Sequence, residues 1–237
     1  MLRTLALLAL YLIGSDASAG PWPRAQGQTF LSTTYETGGP DDYVSLYAEY
    51  GLSKRLTLGL DLGASDDTPK KAIAFARWPL GDTDRPLRMA AQLGLGYAER
   101  WRVPPFKLVI TGGAPLPPLP GPRPKMRPVL QTGFSLGRGL TILGHNGWIT
   151  LDTFAETDDD LATRYKADAT AGLKTRKGHL FILQLQTGAS GSGKTWAKLA
   201  PSVMVKLSKA THLEVGMTAG LTGSGYPAAR VGLWQKF

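Results

Sequence analysis

The chain has 237 residues, enough for one large domain, and no cysteine, which excludes a disulfide framework, a thiolate metal site and a thiol nucleophile. Glycine (29) and proline (17) are abundant and 19% of residues are charged, a balance that suits many short strands with frequent turns and not a helical bundle. The net charge is +9, but the basic residues are scattered through nearly every predicted strand, with no arginine-rich block and no zinc-finger spacing, so nucleic acid is not an expected partner.

Residues 1–19 read as an export signal. Arg3 supplies the positive start, residues 5–13 are a short apolar run, and Ala17-Ser18-Ala19 fits the small-residue cleavage pattern. Cleavage is expected after Ala19. The apolar run is shorter than the roughly 20 residues a spanning helix needs, and no later segment reads as one. A membrane protein without such helices must be a closed barrel, because open strand edges cannot be satisfied in lipid.

Residues 20–26 form a short lead-in containing Pro21, Trp22 and Pro23, and residues 27–36 a first strand. The clearest hairpin covers residues 43–64. Val44, Leu46, Ala48 and Tyr50 alternate with Ser45, Tyr47, Glu49 and Gly51. After a tight turn at Ser53-Lys54, Leu56, Leu58, Leu60 and Leu62 alternate with Thr57, Gly59, Asp61 and Gly63. Period two on both arms means strands with one apolar face and one small or polar face. Each arm is about ten residues long, the length of a tilted strand that crosses a bilayer.

Residues 70–79 form a strand with Ala72, Ala74, Ala76 and Trp78 outward. That leaves Lys71, Ile73, Phe75 and Arg77 inward, two of them large and apolar. Residues 87–98 carry Leu87, Met89, Leu93, Leu95 and Tyr97 on one face and Arg88, Gln92, Gly94 and Gly96 on the other. Residues 99–127 break the rhythm. Eight prolines exclude a central strand or helix and point to a long mouth loop, made basic by Arg100, Arg102, Lys107, Arg123 and Lys125.

Alternation resumes over residues 128–136. Residues 137–146 read as one irregular link, and residues 147–155 as a strand followed by an acidic loop. Five further strands occupy residues 163–174, 179–187, 196–207, 212–221 and 228–237. The expected total is about twelve, an even number that returns both termini to one side. The fold class is therefore all-β: a single antiparallel transmembrane β-barrel over residues 20–237. Connections expected to be short alternate with longer, more polar ones, as periplasmic turns alternate with outer loops in outer-membrane barrels.

On this reading the lumenal face carries Glu49, Asp61, Asp152, Asp168 and Glu214 against Arg77, Arg88, Lys166, Lys174, Lys198, Lys206, Arg230 and Lys236. In a dry core so many charges would be costly unless paired, whereas in a wet lumen they tune ion selectivity. The alternative is a soluble sandwich whose leucines form the core. Aromatic residues near strand ends are expected as two interfacial girdles: Tyr35, Tyr43, Tyr97, Trp101, Phe154 and Trp196 at one rim, Tyr50, Trp78, Trp148 and Phe237 at the other.

Two motifs suggest other chemistry. Residues 188–195, Gly-Ala-Ser-Gly-Ser-Gly-Lys-Thr, match a phosphate-binding loop, but the residues after it alternate as a strand where a helix is required. His145, His179 and His212 lie near turns without metal-ligand spacing. No metal, cofactor or catalytic site is expected.

The C-terminus resembles that of the outer-membrane barrel family read by the barrel-assembly machinery. Val231, Leu233 and terminal Phe237 match its alternating final strand, while Gln235 departs from it. The hairpin at residues 43–64 also resembles the repeated hairpin of small bacterial outer-membrane transporters. The resemblance implies a Gram-negative outer membrane, contact with its lipid and lipopolysaccharide, and Phe237 as an assembly signal. The expected function is a porin-like channel for small solutes, weakly favouring anions. Alternatives are a non-conducting structural or adhesion barrel and an outer-membrane lipid hydrolase, for which His145 is the best candidate residue.

Overall fold

The computed structural model describes residues 20–39, 41–66, 68–101, 124–142, 144–190, 193–223 and 226–237. The leader and Arg102, Lys107 and Arg123 of the expected mouth loop lie outside them. Twelve strands follow in order: β1 (Thr29–Thr37), β2 (Tyr43–Ser53), β3 (Leu56–Ser65), β4 (Thr68–Leu80), β5 (Leu87–Trp101), β6 (Pro124–Ile142), β7 (His145–Asp158), β8 (Thr163–Lys174), β9 (Leu180–Ala189), β10 (Thr195–Lys206), β11 (Thr211–Thr222) and β12 (Ala228–Lys236). Each pairs antiparallel with the next, and β12 pairs with β1 from Phe30↔Lys236 to Thr37↔Ala229. The sheet is a closed barrel, so within the twelve-stranded ring no strand is left as an edge. There is no helix among the described residues.

Period two decides which way each side chain faces. Leu93, Leu95 and Tyr97 of β5, Leu183 of β9 and Val215 of β11 are exposed on the outer wall, while Gln92 and Glu214 beside them are buried inside. Leu95 is 65% exposed. An apolar belt of this kind around a whole molecule is a surface for lipid, because soluble monomers rarely expose large contiguous apolar patches.

The β4 faces fall as the alternation indicates, with Trp78 outside and Ile73, Phe75 and Arg77 inside. Glycines on the neighbouring strands make room for the two inward apolar side chains. A Cβ on Gly59 of β3 would collide with the Phe75 ring, and one on Gly94 of β5 would stand 3.0 Å from Ile73.

Three expectations need correction. First, residues 99–101 and 124–127 belong to strands. Beyond the Lys71↔Ala98 and Val129↔Asp158 pairs, β5 and β6 pair only with each other, up to Trp101↔Pro124. This two-stranded extension has open edges, where the missing N–H of Pro124 and Pro128 is tolerated. Second, residues 137–142 continue β6, and Ile142 pairs with His145. Asn146-Gly147 lies within β7, and the turn between β6 and β7 includes Gly144 at φ +74°. Gly137 imitates a turn signal, but it is an inward position kept small for the Pro21 and Trp22 side chains. Third, the turn end and the loop end differ less than expected. Apart from residues 102–123, connections such as 38–42 and 190–194 at the loop end resemble 81–86 and 175–179 at the turn end.

Candidate functional site in the barrel lumen

The lumen is filled differently along its length. Toward the turn end it contains a segment that the alternation does not reveal. Residues 20–24, ahead of β1, run inside the barrel, and residues 25–27 are exposed at its turn end. The strap starts at Gly20 beside Thr150 and Asp152 of β7, and Pro21 is fully buried. Trp22 packs against Trp148, Leu180 and Met204, with Ile182 and Trp234 around them. Arg24 then reaches the opposite wall, where its backbone N–H donates to Thr57 Oγ1 at 3.1 Å. Gly27 N–H donates to the Gly51 carbonyl at 2.8 Å, leading into β1.

Arg24 is buried, so its charge needs a partner. Glu49 supplies it, with Oε2 2.5 Å from Arg24 Nε and Oε1 2.7 Å from Arg77 Nη1. Tyr47 donates its hydroxyl to the same carboxylate at 2.6 Å and accepts from Arg77 Nη2 at 3.0 Å. The guanidinium of Arg24 also lies 4.3 Å from the centre of the Phe30 ring. One carboxylate therefore neutralises two cations on different parts of the chain.

From Arg77 a hydrogen-bonded belt crosses the wall. Arg77 donates to Gln92 Oε1 at 2.8 Å, Gln92 Nε2 donates to Gln131 Oε1 at 2.7 Å, and Gln131 Nε2 donates to Glu156 Oε1 at 3.0 Å. Arg100 closes it, with Nη2 3.2 Å from Glu156 Oε2 and Nε 3.8 Å from Asp158 Oδ2. Each glutamine accepts from the cation side and donates toward the carboxylate, so the polarity runs one way from β4 to β7. Arg100, expected in a mouth loop, is thus a buried member of this belt because β5 extends past residue 98. Lys125 lies exposed on the extension.

Above the strap is a cavity of about 780 Å³. Its charged lining is basic at Arg24, Lys71, Arg77, Lys166, Lys198, Arg230 and Lys236 and acidic at Glu36, Asp41, Asp61, Asp152 and Asp168. Several of these are paired: Lys71 with Asp61 at 2.6 Å, Lys166 with Asp168 at 2.8 Å, and Arg230 with Glu214 at 3.3 Å. Lys198 has no carboxylate among the described residues within ion-pair distance and stands 5.9 Å from the centre of the Trp196 ring.

Of the expected lumenal charges, Asp61, Arg77, Asp152, Lys166, Asp168, Lys198, Arg230 and Lys236 border this cavity. Glu49 is buried at the strap and Glu214 behind Arg230. Arg88 lies near the turn end of β5, opposite Gly137, and Lys206 is exposed at that rim. Four aromatics expected at the rims turn inward instead. Trp148 is buried in the lower cluster, and Tyr43, Phe154 and Trp196 line the cavity. Strand-end position does not specify the face; parity along the strand does. Tyr35, Tyr97, Tyr50, Trp78 and Phe237 are exposed. Arg24, Gln92 and Gln131 were not among the expected site residues. Pro21-Trp22-Pro23 was the available signal, since a large ring outside any strand needs somewhere to be buried.

The phosphate-loop match forms a hairpin. Gly188 and Ala189 close β9, Gly193 N–H donates to the Ser190 carbonyl at 2.9 Å, and Thr195 starts β10, so no helix follows. His179 and His212 bind backbone at the turn end, through Lys206 N–H at 3.1 Å and the Gly178 carbonyl at 3.3 Å. Asp158, Asp159 and Asp160 cluster at the end of β7, but Arg127 bridges the latter two.

No protein-family model matches the chain, and no curated protein matches its sequence. Solved structures do match in shape. The KdgM porin superposes with a TM-score of 0.60 at 8% identity, over 88% of this chain and 99% of that one. The fold is that of a small outer-membrane porin. The NanC porin gives 0.58 at 8% identity, over 88% and 100% of the two chains. An outer-membrane channel from Pseudomonas putida F1 gives 0.51 at 11% identity, over 94% and 100%. At these identities the likeness concerns the barrel and its strand order, and no individual lumenal residue is carried across.

Proposed function

We propose that the protein is an outer-membrane channel for small solutes with a weak preference for anions. The observation that carries this reading is the charged cavity of about 780 Å³ inside a closed barrel with an apolar exterior. Its lining has seven basic and five acidic side chains, and Lys198 has no acidic partner among the described residues. Cations without counter-charges in a wet lumen favour anions. The KdgM porin has also been solved in complex with disordered oligogalacturonate, an acidic solute, which supports the same class here.

The reading includes export by cleavage after Ala19, assembly by the barrel-assembly machinery through Phe237, and contact with outer-membrane lipid and lipopolysaccharide. The test is purified protein in a planar bilayer under a salt gradient. Measurable conductance with a reversal potential on the anion side is expected. A clear cation preference would sink the selectivity.

The strap favours a second reading, a non-conducting structural or adhesion barrel, because it fills the lumen toward the turn end. Deleting residues 20–24 separates the two. A strap that only narrows a channel leaves measurable native conductance, which rises on deletion. A silent native barrel that stays silent after deletion is a plugged one.

A further inference from the structure

The strap begins at a pair of carboxylates. Asp152 on β7 and Asp168 on β8 are direct cross-strand partners. Like charges placed opposite one another destabilise a sheet unless a cation answers them. Lys166 takes Oδ2 of Asp168 at 2.8 Å, but Oδ1 is buried without a partner, on a residue 7% exposed. Asp152 accepts a hydrogen bond from Ser135 Oγ at 2.5 Å and has no basic side chain of the described residues within ion-pair distance. Arg77 directs its N–H groups to Glu49, Tyr47, Gln92 and the Gly20 carbonyl. Thr150 Oγ1, two residues along β7, is also buried and unpartnered.

Gly20 meets this group. A Cβ there would stand 3.0 Å from Thr150 Cγ2 and 3.3 Å from Asp152 Oδ1, and its φ of +86° is one that residues with a side chain avoid. Its carbonyl accepts from Arg77 Nη1 at 3.2 Å, so the residue is held in place.

We propose that Asp152, Asp168 and Thr150 form a binding site for the α-ammonium group of Gly20, created when the leader is cut after Ala19. This rests on the cleavage site and is independent of whether the barrel conducts. An ammonium offers three donors and a positive charge, which matches two carboxylates and a hydroxyl. Before cleavage the same nitrogen is an uncharged amide with a single hydrogen and cannot answer both acids. Leader removal therefore completes the strap's anchor, and maturation sets the closed state of the lower lumen.

The experiment is acylation of the folded, mature barrel in detergent with an amine-reactive ester, read by mass spectrometry on the tryptic peptide of residues 20–24, which contains no lysine. An ammonium held by carboxylates keeps its proton, and each unit of raised pKa slows acylation about tenfold. The Gly20 amine is expected to be protected in the native barrel and to label about tenfold faster in the Asp152→Asn/Asp168→Asn double variant. Inserting two alanines between Ala19 and Gly20 shifts the ammonium without altering the wall, and is expected to expose it equally. The insertion decides the matter if the double variant fails to fold. A native amine that labels as fast as the denatured chain, an insertion variant as protected as native, or a mature chain starting elsewhere than Gly20 overturns the proposal.

Discussion

The two ends of the lumen hold similar residue types and use them differently. Toward the turn end, Arg24, Glu49 and Arg77 are buried, mutually neutralised and backed by the Trp22, Trp148 and Met204 cluster. Toward the loop end, Lys166, Lys198 and Arg230 line open space, with pairs only partly satisfied. The lower region resembles a protein core with a charge network, and the upper region a solvated surface turned inside out. The difference shows that a lumenal charge has structural weight where the strap excludes water and electrostatic weight for solutes where it does not.

The largest expected effect comes from Glu49→Ala. It leaves Arg24 and Arg77 buried without their shared counter-ion, at a cost of about 3–5 kcal/mol. It should appear as a lower temperature for the change in gel mobility of the folded barrel. A native-like transition temperature would break the claim that this end behaves as a core.

Gly172→Val should come next. A Cβ there would enter the Trp148 ring, whereas one on Gly139 meets nothing within 4 Å. Overpacking of this kind costs about 1–3 kcal/mol. Gly139→Val should leave the transition within about 0.5 kcal/mol of native. Equal effects at the two glycines would remove the packing half of the contrast.

Lys198→Glu should leave stability nearly unchanged and shift selectivity. Exposed charges act at about 0.2–1 kcal/mol, or up to roughly fivefold in the anion-to-cation permeability ratio. The reversal potential in a salt gradient reads this directly. An unchanged ratio would mean that the cavity charges do not meet the solute path.

The smallest effect is expected at the loop-end rim, outside the lumen. Asp42 sits in the β1–β2 connection and accepts from the Tyr35 hydroxyl at 2.5 Å and from Thr37 Oγ1 at 2.7 Å. These two donors hold its carboxyl below the usual value, Tyr35 more than Thr37. Its contribution is therefore present above the unfolded carboxylate value and lost as pH falls through the lowered one. Tyr35→Phe should move the Asp42 titration, followed by NMR, back toward the ordinary carboxylate range. An unmoved titration would show that the rim pair does not form in solution.

The barrel was legible because alternation is a local signal. Leu56, Leu58, Leu60 and Leu62 against Thr57, Gly59 and Asp61 specify a strand and its two faces without reference to any partner. The same logic placed Ile73 and Phe75 inside, an arrangement that the alternation alone did not explain until Gly59 and Gly94 supplied the space. The errors came from residues whose local meaning is ambiguous. Pro124 and Pro128 read as loop because the open edge that tolerates them is a tertiary feature. Gly137 read as a turn because the rings it accommodates come from far along the chain. Trp148 and Trp196 read as girdle residues from their position near strand ends, although parity turns them inward.

The hairpin with Glu49 and Asp61 illustrates where that legibility stops. Sequence alone determined that both acids face away from the leucines, since side-chain direction repeats every two residues. Only the tertiary structure decided that Asp61 would take Lys71 in the cavity, while Glu49 would hold Arg24 and Arg77 beneath it. Arg24 is 25 residues from Glu49 and precedes the first strand. Its placement depends on how strand register and barrel closure bring distant segments to one height. No local pattern encodes that, because the face of a strand is set by its own backbone and the contents of a lumen by the whole ring around it.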